Sequence, residues 1–207
     1  MGRYTGPVIR LHRREGTNLG LKGRRATDEK YDERLTQPPG MHGRGHQKLS
    51  NYGLQLREKQ KLKRIYGMME NQFRVFFRRA AKKKGVTGET LIQLLESRLD
   101  NVVYRLLFST TRREARQMVN HGLITVNGKP VDIPSYSIQV GDVIGVRQKE
   151  KTIKRVEASL EKWQDLQVPE WLELDRKKLV GKVLREPTKA DAQLPVEESQ
   201  IVELFSK

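Results

Sequence analysis

The stretch Ser97 to Val146 restricts the fold of this chain most. Leu99, Val102, Val103 and Leu106 recur at helical spacing. Thr111-Arg112-Arg113-Glu114 then spells a capping box, which starts a second helix with Ala115, Met118 and Val119 turned inward. Gly122 ends that helix, Ile124-Thr125-Val126 is a short strand, and Asn127-Gly128 predicts a tight hairpin. Gly141-Asp142 makes the next turn before a strand from Val143 to Arg147. Such a unit is too short and polar to build an enzyme cleft. It suits a helix that lays Arg112, Arg113 and Arg116 on a nucleic-acid backbone, where the helix N-terminus also favours phosphate.

The charge of the chain points the same way. Its net charge is +16, which costs stability by self-repulsion unless a polyanion neutralises it. Residues 51–86 alone carry 11 Lys+Arg against 2 acids, whereas residues 149–207 carry 12 against 12. There is no cysteine, so disulfides and thiolate metal sites are excluded. No apolar run approaches a membrane span, so no membrane partner is expected.

Residues 1–45 are rich in Gly and Arg without a sustained period, and they read as loop and extended structure ordered by contact with a partner. Residues 50–66 read as a helix with Arg57, Lys61 and Arg64 in one basic stripe, broadened by Lys59 and Lys63. Leu54, Leu62 and Ile65 anchor it. A helix over 69–84 sets the apolar stripe Met69, Phe73, Phe76, Phe77 and Ala80 against Arg74, Arg78 and Lys82. Its aromatic residues are read as core rather than as base-stacking groups. A further helix follows from Glu89, and a charged one spans 149–166 with Ile153, Val156, Leu160 and Trp163 on one face. Leu172 and Leu174, then Leu179 to Leu184, suggest a second hairpin, and Pro187 to Pro195 a loop. The tail Val196 to Phe205 is acidic and apolar, and charge complementarity packs it back onto the basic helices.

No catalytic constellation stands out, and the chain reads as a non-enzymatic protein with no cofactor. There is no nucleophile elbow and no phosphate loop. His42 and His46 lie in a Gly-rich segment and are better suited to RNA contacts than to zinc. His121 fits a helix-end cap and a phosphate contact equally. Asp100 and Glu114 fit helix starts.

Ser97 to Val146 resembles the small RNA-binding module named after ribosomal protein S-four. The segments Met1-Gly2-Arg3-Tyr4-Thr5-Gly6-Pro7, Arg13-Arg14-Glu15-Gly16, Pro38-Pro39-Gly40-Met41-His42-Gly43, Leu56-Arg57-Glu58-Lys59-Gln60-Lys61, Ile65-Tyr66-Gly67, Gln72-Phe73-Arg74 and Leu95-Glu96-Ser97-Arg98-Leu99-Asp100-Asn101-Val102-Val103-Tyr104-Arg105 extend the resemblance to the bacterial S-four family itself, and Leu194-Pro195-Val196 fits as well. The resemblance implies an α+β fold. A basic, RNA-ordered arm (1–45) leads into a helical domain (46–96) completed by the tail (190–207). A second domain (97–189), carrying the module at 97–147 as helices packed on a small antiparallel sheet, is inserted into it.

The resemblance also implies function. Such a protein is a structural constituent of the small ribosomal subunit, in the cytoplasm. It grips a junction in the 5′ domain of small-subunit (16S) ribosomal RNA, nucleates assembly of the subunit body and influences decoding accuracy. Expected neighbours are ribosomal protein S-five and messenger RNA where it enters the subunit. The expected RNA-contacting residues are Arg3, Tyr4, Arg13, Arg14, His42, Arg44, Lys48, Arg57, Lys59, Lys61, Lys63, Arg64, Arg74, Arg78, Arg112, Arg113, Arg116, His121 and Lys129. Many relatives hold zinc with four N-terminal cysteines. Here the matching positions are Ile9, His12, Ala26 and Tyr31, so no metal is expected. Two rivals share the module. A uridine-modifying enzyme would need a catalytic domain for which the basic N-terminal half leaves no room, and a stalled-ribosome rescue factor would need little beyond the module.

Overall fold

The chain forms two compact units, residues 1–91 with 194–207 and residues 92–193. A computed structural model describes residues 4–23, 33–41 and 48–206.

The first unit is helical. Helix α1 spans Val8–Glu15 and stops at Gly16, whose φ of 62° is the left-handed conformation that glycine adopts without strain. This corrects the expectation of loop over the whole of 1–45. The helical period is hidden in the sequence because the innermost residue of α1 is a histidine, His12, rather than an aliphatic side chain. Helix α2 covers Asn51–Ile65, and the Ser50 hydroxyl caps it by accepting the Gly53 N–H at 3.2 Å. Helix α3 covers Glu70–Lys82, with Phe73, Phe76 and Ala80 buried. Leu54 and Met69 do not anchor these helices: each is 48% exposed. Leu54 sits in the exposed first turn of α2, and Met69 precedes α3 as its N-cap.

Helix α4 spans Thr87–Glu96 and carries the chain from the first unit into the second. There α5 (Leu99–Arg105) and α6 (Arg112–Asn120) pack against each other. Five strands follow: β1 (Ile124–Val126), β2 (Lys129–Pro130), β3 (Val143–Val146), β4 (Leu172–Asp175) and β5 (Val180–Val183). They form one antiparallel sheet in the order β2-β1-β3-β5-β4. Asn127 and Gly128, at φ 50° and 78°, close the β1–β2 hairpin as the sequence predicts. Helix α7 (Glu150–Lys162) is tied in by the Ser159 hydroxyl, which donates to the Leu107 carbonyl at 2.9 Å. The core joins Leu99, Val102, Leu106, Met118, Ile124, Ile144, Val156 and Trp171. Each large aliphatic side chain buried there contributes about 2 kcal/mol of transfer free energy.

The expected loop from Pro187 to Pro195 contains a short helix, α8 (Lys189–Ala192). The Asp191 carboxylate accepts the Thr188 N–H at 2.8 Å, a capping interaction at a spacing that the proline-flanked sequence disguises. The C-terminal helix α9 (Glu198–Ser206) returns to the first unit and packs along α2. The tail therefore folds back as expected, and aromatic packing takes part in holding it. Phe205 stacks on Phe77 at 4.2 Å between ring centroids and on Phe73 at 6.2 Å. The α+β architecture read from the sequence is borne out.

Candidate nucleic-acid interface

The basic stripe of α2 is not a free row of cations. Arg57 and Arg64 both donate to Glu15 Oε1 on α1, Arg57 at 3.4 Å. Lys61 donates to Glu58. Lys59 and Lys63 donate to the two oxygens of Glu70 at 2.6 and 2.9 Å, and Arg74 stands 3.6 Å from the same carboxylate. Lys59 is buried, because the helical period places it on the inner face with Gln55 and Leu62. Its Nζ also lies 5.7 Å from the centre of the Phe205 ring. Lys59 therefore does not broaden an outer stripe.

Around Glu15 and Glu70 the cations outnumber the carboxylate, so pairing fixes their positions and still leaves a positive field. Burial opposes ionisation of Glu70, but hydrogen bonds and charge from Lys59 and Lys63 outweigh it and hold the carboxyl at about 2. Glu15 is different. Its buried side chain has its pKa pushed up by desolvation, against the pull of Arg57, Arg64, Lys61 and Arg14.

On α1, the His12 ring is buried and its Nδ1 accepts the Leu19 N–H at 3.1 Å. Desolvation, then Lys22, lowers its pKa to about 4. Ile9 has no donor atom, Ala26 and Tyr31 lie outside the described residues, and His12 already spends Nδ1 on the backbone. These residues do not fit a zinc site. No cluster of three or more metal-ligating side chains occurs among the described residues.

These shifts predict two acid-sensitive windows. His12 has a folded pKa below its unfolded value, so the stability it confers is complete above pH 6.5 and drains away as pH falls towards about 4. Glu70 likewise stabilises above pH 4.5, and that contribution is lost down to about pH 2. Urea midpoints followed by circular dichroism should fall in both windows, and His12→Gln should flatten the first while Glu70→Gln flattens the second. A midpoint constant from pH 7 to 4 would contradict the His12 assignment.

The arm residues divide between roles. Arg13 clips the chain, donating to the Gln37 carbonyl at 2.7 Å and the Pro38 carbonyl at 3.2 Å. Tyr4, Arg14 and Lys48 are exposed. Arg3, His42, His46 and Arg44 lie outside the described residues.

In the second unit the Thr111 hydroxyl accepts the Glu114 N–H at 3.2 Å, as the capping box requires. The Glu114 carboxylate reaches one residue further back than expected: it accepts the Thr110 N–H at 2.9 Å and hydroxyl at 2.7 Å. Its other oxygen accepts from Arg155 Nε at 2.9 Å. Burial opposes ionisation of Glu114, but these Thr110 and Arg155 contacts lower its pKa.

Arg113 is exposed, whereas Arg112 and Arg116 are half-buried. Arg112 donates to Asn101 Oδ1 at 2.8 Å and lies 4.4 Å from the Tyr104 ring centre. Arg116 is not left outside but folds back on Asp100 Oδ2, through Nε at 2.8 Å and Nη2 at 2.7 Å. Asp100 also receives both Arg98 contacts, at 3.0 and 2.7 Å, from a guanidinium that is 1% exposed. Beside it, buried Glu96 accepts from Arg105 and Asn101 at 2.9 Å. Sequence reasoning missed this buried ionic lattice, whose only signal is the alternating charge of Glu96, Arg98 and Asp100. His121 and Lys129 are exposed, at the end of α6 and on the β1–β2 hairpin. Arg74 and Arg78 are exposed on α3.

Residues 3–96 match the family described as Ribosomal protein S4/S9 N-terminal domain, and residues 97–144 match the S4 domain. The chain is 54% identical over its full length to the whole of Small ribosomal subunit protein uS4 from Acetivibrio thermocellus, and 54% identical to that from Natranaerobius thermophilus, again with all of both chains covered. The protein of the same name from Thermodesulfovibrio yellowstonii is 53% identical, also over all of both chains.

Proposed function

The chain belongs to the uS4 family of small ribosomal subunit proteins, and from that premise we propose that it grips the helical junction of the 5′ domain of 16S ribosomal RNA and nucleates assembly of the subunit body. It is a structural, RNA-binding constituent of the small ribosomal subunit and not an enzyme. One observation carries the mechanism: carboxylates shared among several cations pre-position a net positive surface. Glu15 serves Arg57 and Arg64, and Glu70 serves Lys63 and Arg74, with the buried Lys59 behind them. Ordering these long side chains in advance removes entropy that binding would otherwise cost.

A-form grooves hide base edges from side chains, so recognition rests on backbone geometry. Arg112 and Arg113 at the α6 N-terminus engage phosphates in this reading, with Lys129 and His121 flanking them, while Arg116 stays on Asp100. The arm residues Arg3, Tyr4, Arg14, His42, Arg44 and Lys48 thread between RNA helices. Contacts with protein S-five and with messenger RNA where it enters the subunit, and an influence on decoding accuracy, complete the proposal.

The test is competitive binding of the pure protein to a 5′-domain transcript across a salt series with excess tRNA. Binding that survives the competitor supports recognition of shape, and binding abolished by tRNA rejects it. Arg112→Ala/Arg113→Ala should weaken binding and flatten its log–log salt slope by roughly 0.7–0.9 for each phosphate that these side chains neutralise. An unchanged slope removes these two arginines from the interface.

A further inference from the structure

The C-terminal half of α3 differs from α2 in one respect. Arg78, Arg79, Lys82, Lys83 and Lys84 are all exposed, and among the described residues none of their side chains is in a hydrogen bond or ion pair. On α2, by contrast, Arg57, Lys59, Lys61, Lys63 and Arg64 each hold a carboxylate. Arg79 only leans on the Phe76 ring, 5.6 Å from its centre. Like charges one helical turn apart destabilise a helix, and here Arg74, Arg78 and Lys82 follow one another at that spacing, as do Arg79 and Lys83. Helix-dipole stabilisation favours cations in the last turn, but it does not extend to Arg78 a full turn earlier.

We infer that this end of α3 is a further phosphate-contact surface of the first unit, taking the sugar–phosphate backbone of a structured RNA beside the pre-positioned cations of α2. The inference rests on the RNA-binding reading above. Its geometry fits the ligand: residues four apart rise about 6 Å along a helix, on the order of the step between successive phosphates of a strand. No exposed aromatic accompanies the cations, because Phe73 and Phe76 point inward and Phe77 is covered by Phe205. The surface therefore reads backbone charge and not bases.

The full chain is tested against a 5′-domain transcript of small-subunit ribosomal RNA in a salt series. Arg78→Gln/Lys82→Gln/Lys83→Gln removes three charges with little change in helix propensity. Arg176→Gln/Lys177→Gln/Lys178→Gln removes three equally exposed charges at the β4–β5 turn. The α3 variant should bind at least tenfold more weakly at 0.15 M salt, with a slope shallower by roughly 2. The turn variant should change the slope by less than half as much, and both should melt like the parent. Hydroxyl-radical footprinting should show a discrete patch of backbone protection that disappears only with the α3 variant. Equal weakening by both variants would mean general charge and overturn the inference. An unaffected α3 variant beside a tightly binding parent would overturn it alone. A parent displaced by tRNA would sink the RNA-binding reading and this one with it.

Discussion

Replacing Asp100 by alanine is expected to destabilise the second unit by roughly 3–5 kcal/mol. The carboxylate is 4% exposed and lies between two guanidinium groups, those of Arg98 and Arg116. Removing it leaves two cations facing each other in a low-dielectric setting, where Arg98 has no route to water. Asp100→Asn should do nearly as much harm, because the amide keeps the volume but loses the charge and one acceptor oxygen. Arg116→Gln should cost far less, since Arg98 still holds Asp100 through two hydrogen bonds. The measurement is convenient: both tryptophans, Trp163 and Trp171, lie in the second unit, so their fluorescence in a urea titration reports that unit. A loss below about 1 kcal/mol would place the pair among the weak, water-screened ones.

Deleting the tail from residue 194 onward should abolish cooperative unfolding of the first unit while leaving the tryptophan transition in place. Ile201 of α9 is fully buried, and truncating an aliphatic core side chain to alanine costs about 2–5 kcal/mol by itself. The deletion also strips Phe205 from Phe73 and Phe77. It empties the slot at Gly88 as well. That glycine is required by the close approach of α9, because a Cβ there would meet Glu198 Cγ at 2.5 Å. The combined loss is comparable with the whole stability of a small domain. The expected readout is a smaller helical signal that melts without a sigmoid, beside an unshifted tryptophan midpoint. A truncated protein that still melts cooperatively by both probes would show that α2 and α3 sustain their own core.

Local chemistry made much of this fold legible. Asn127-Gly128 could only be a hairpin with both residues at positive φ, and Thr111 announced its helix through a side-chain cap. The apolar periods of α3 and α7 gave their inward faces, though α7 stops at Lys162, four residues before its expected end. The pairing of charges was not legible. Arg57 and Arg64 reach Glu15 across 42 and 49 residues, and no periodicity records such a separation. Lys59 reads as surface by residue type, yet the register of α2 buries it and Glu70 receives its charge. For the same reason the candidate interface was legible as a region and not as a set of side chains. Arg13 and Arg116 hold carbonyls and a carboxylate of their own chain, while Lys83 and Lys84 gave no separate signal because a basic helix end has an ordinary electrostatic explanation.

The interruption of the first unit by the second sets an order on synthesis. Residues 92–193 are made in one piece and can bury their core as soon as they have emerged. Helices α2 and α3 are made earlier but wait, because α9 is made last of the elements described. During that interval Phe73 and Phe77 lack the ring that covers them, beside the cationic end of α3. A nascent chain thus presents a finished module and an unfinished, highly charged helical pair. The core of that pair is completed only when α9 arrives.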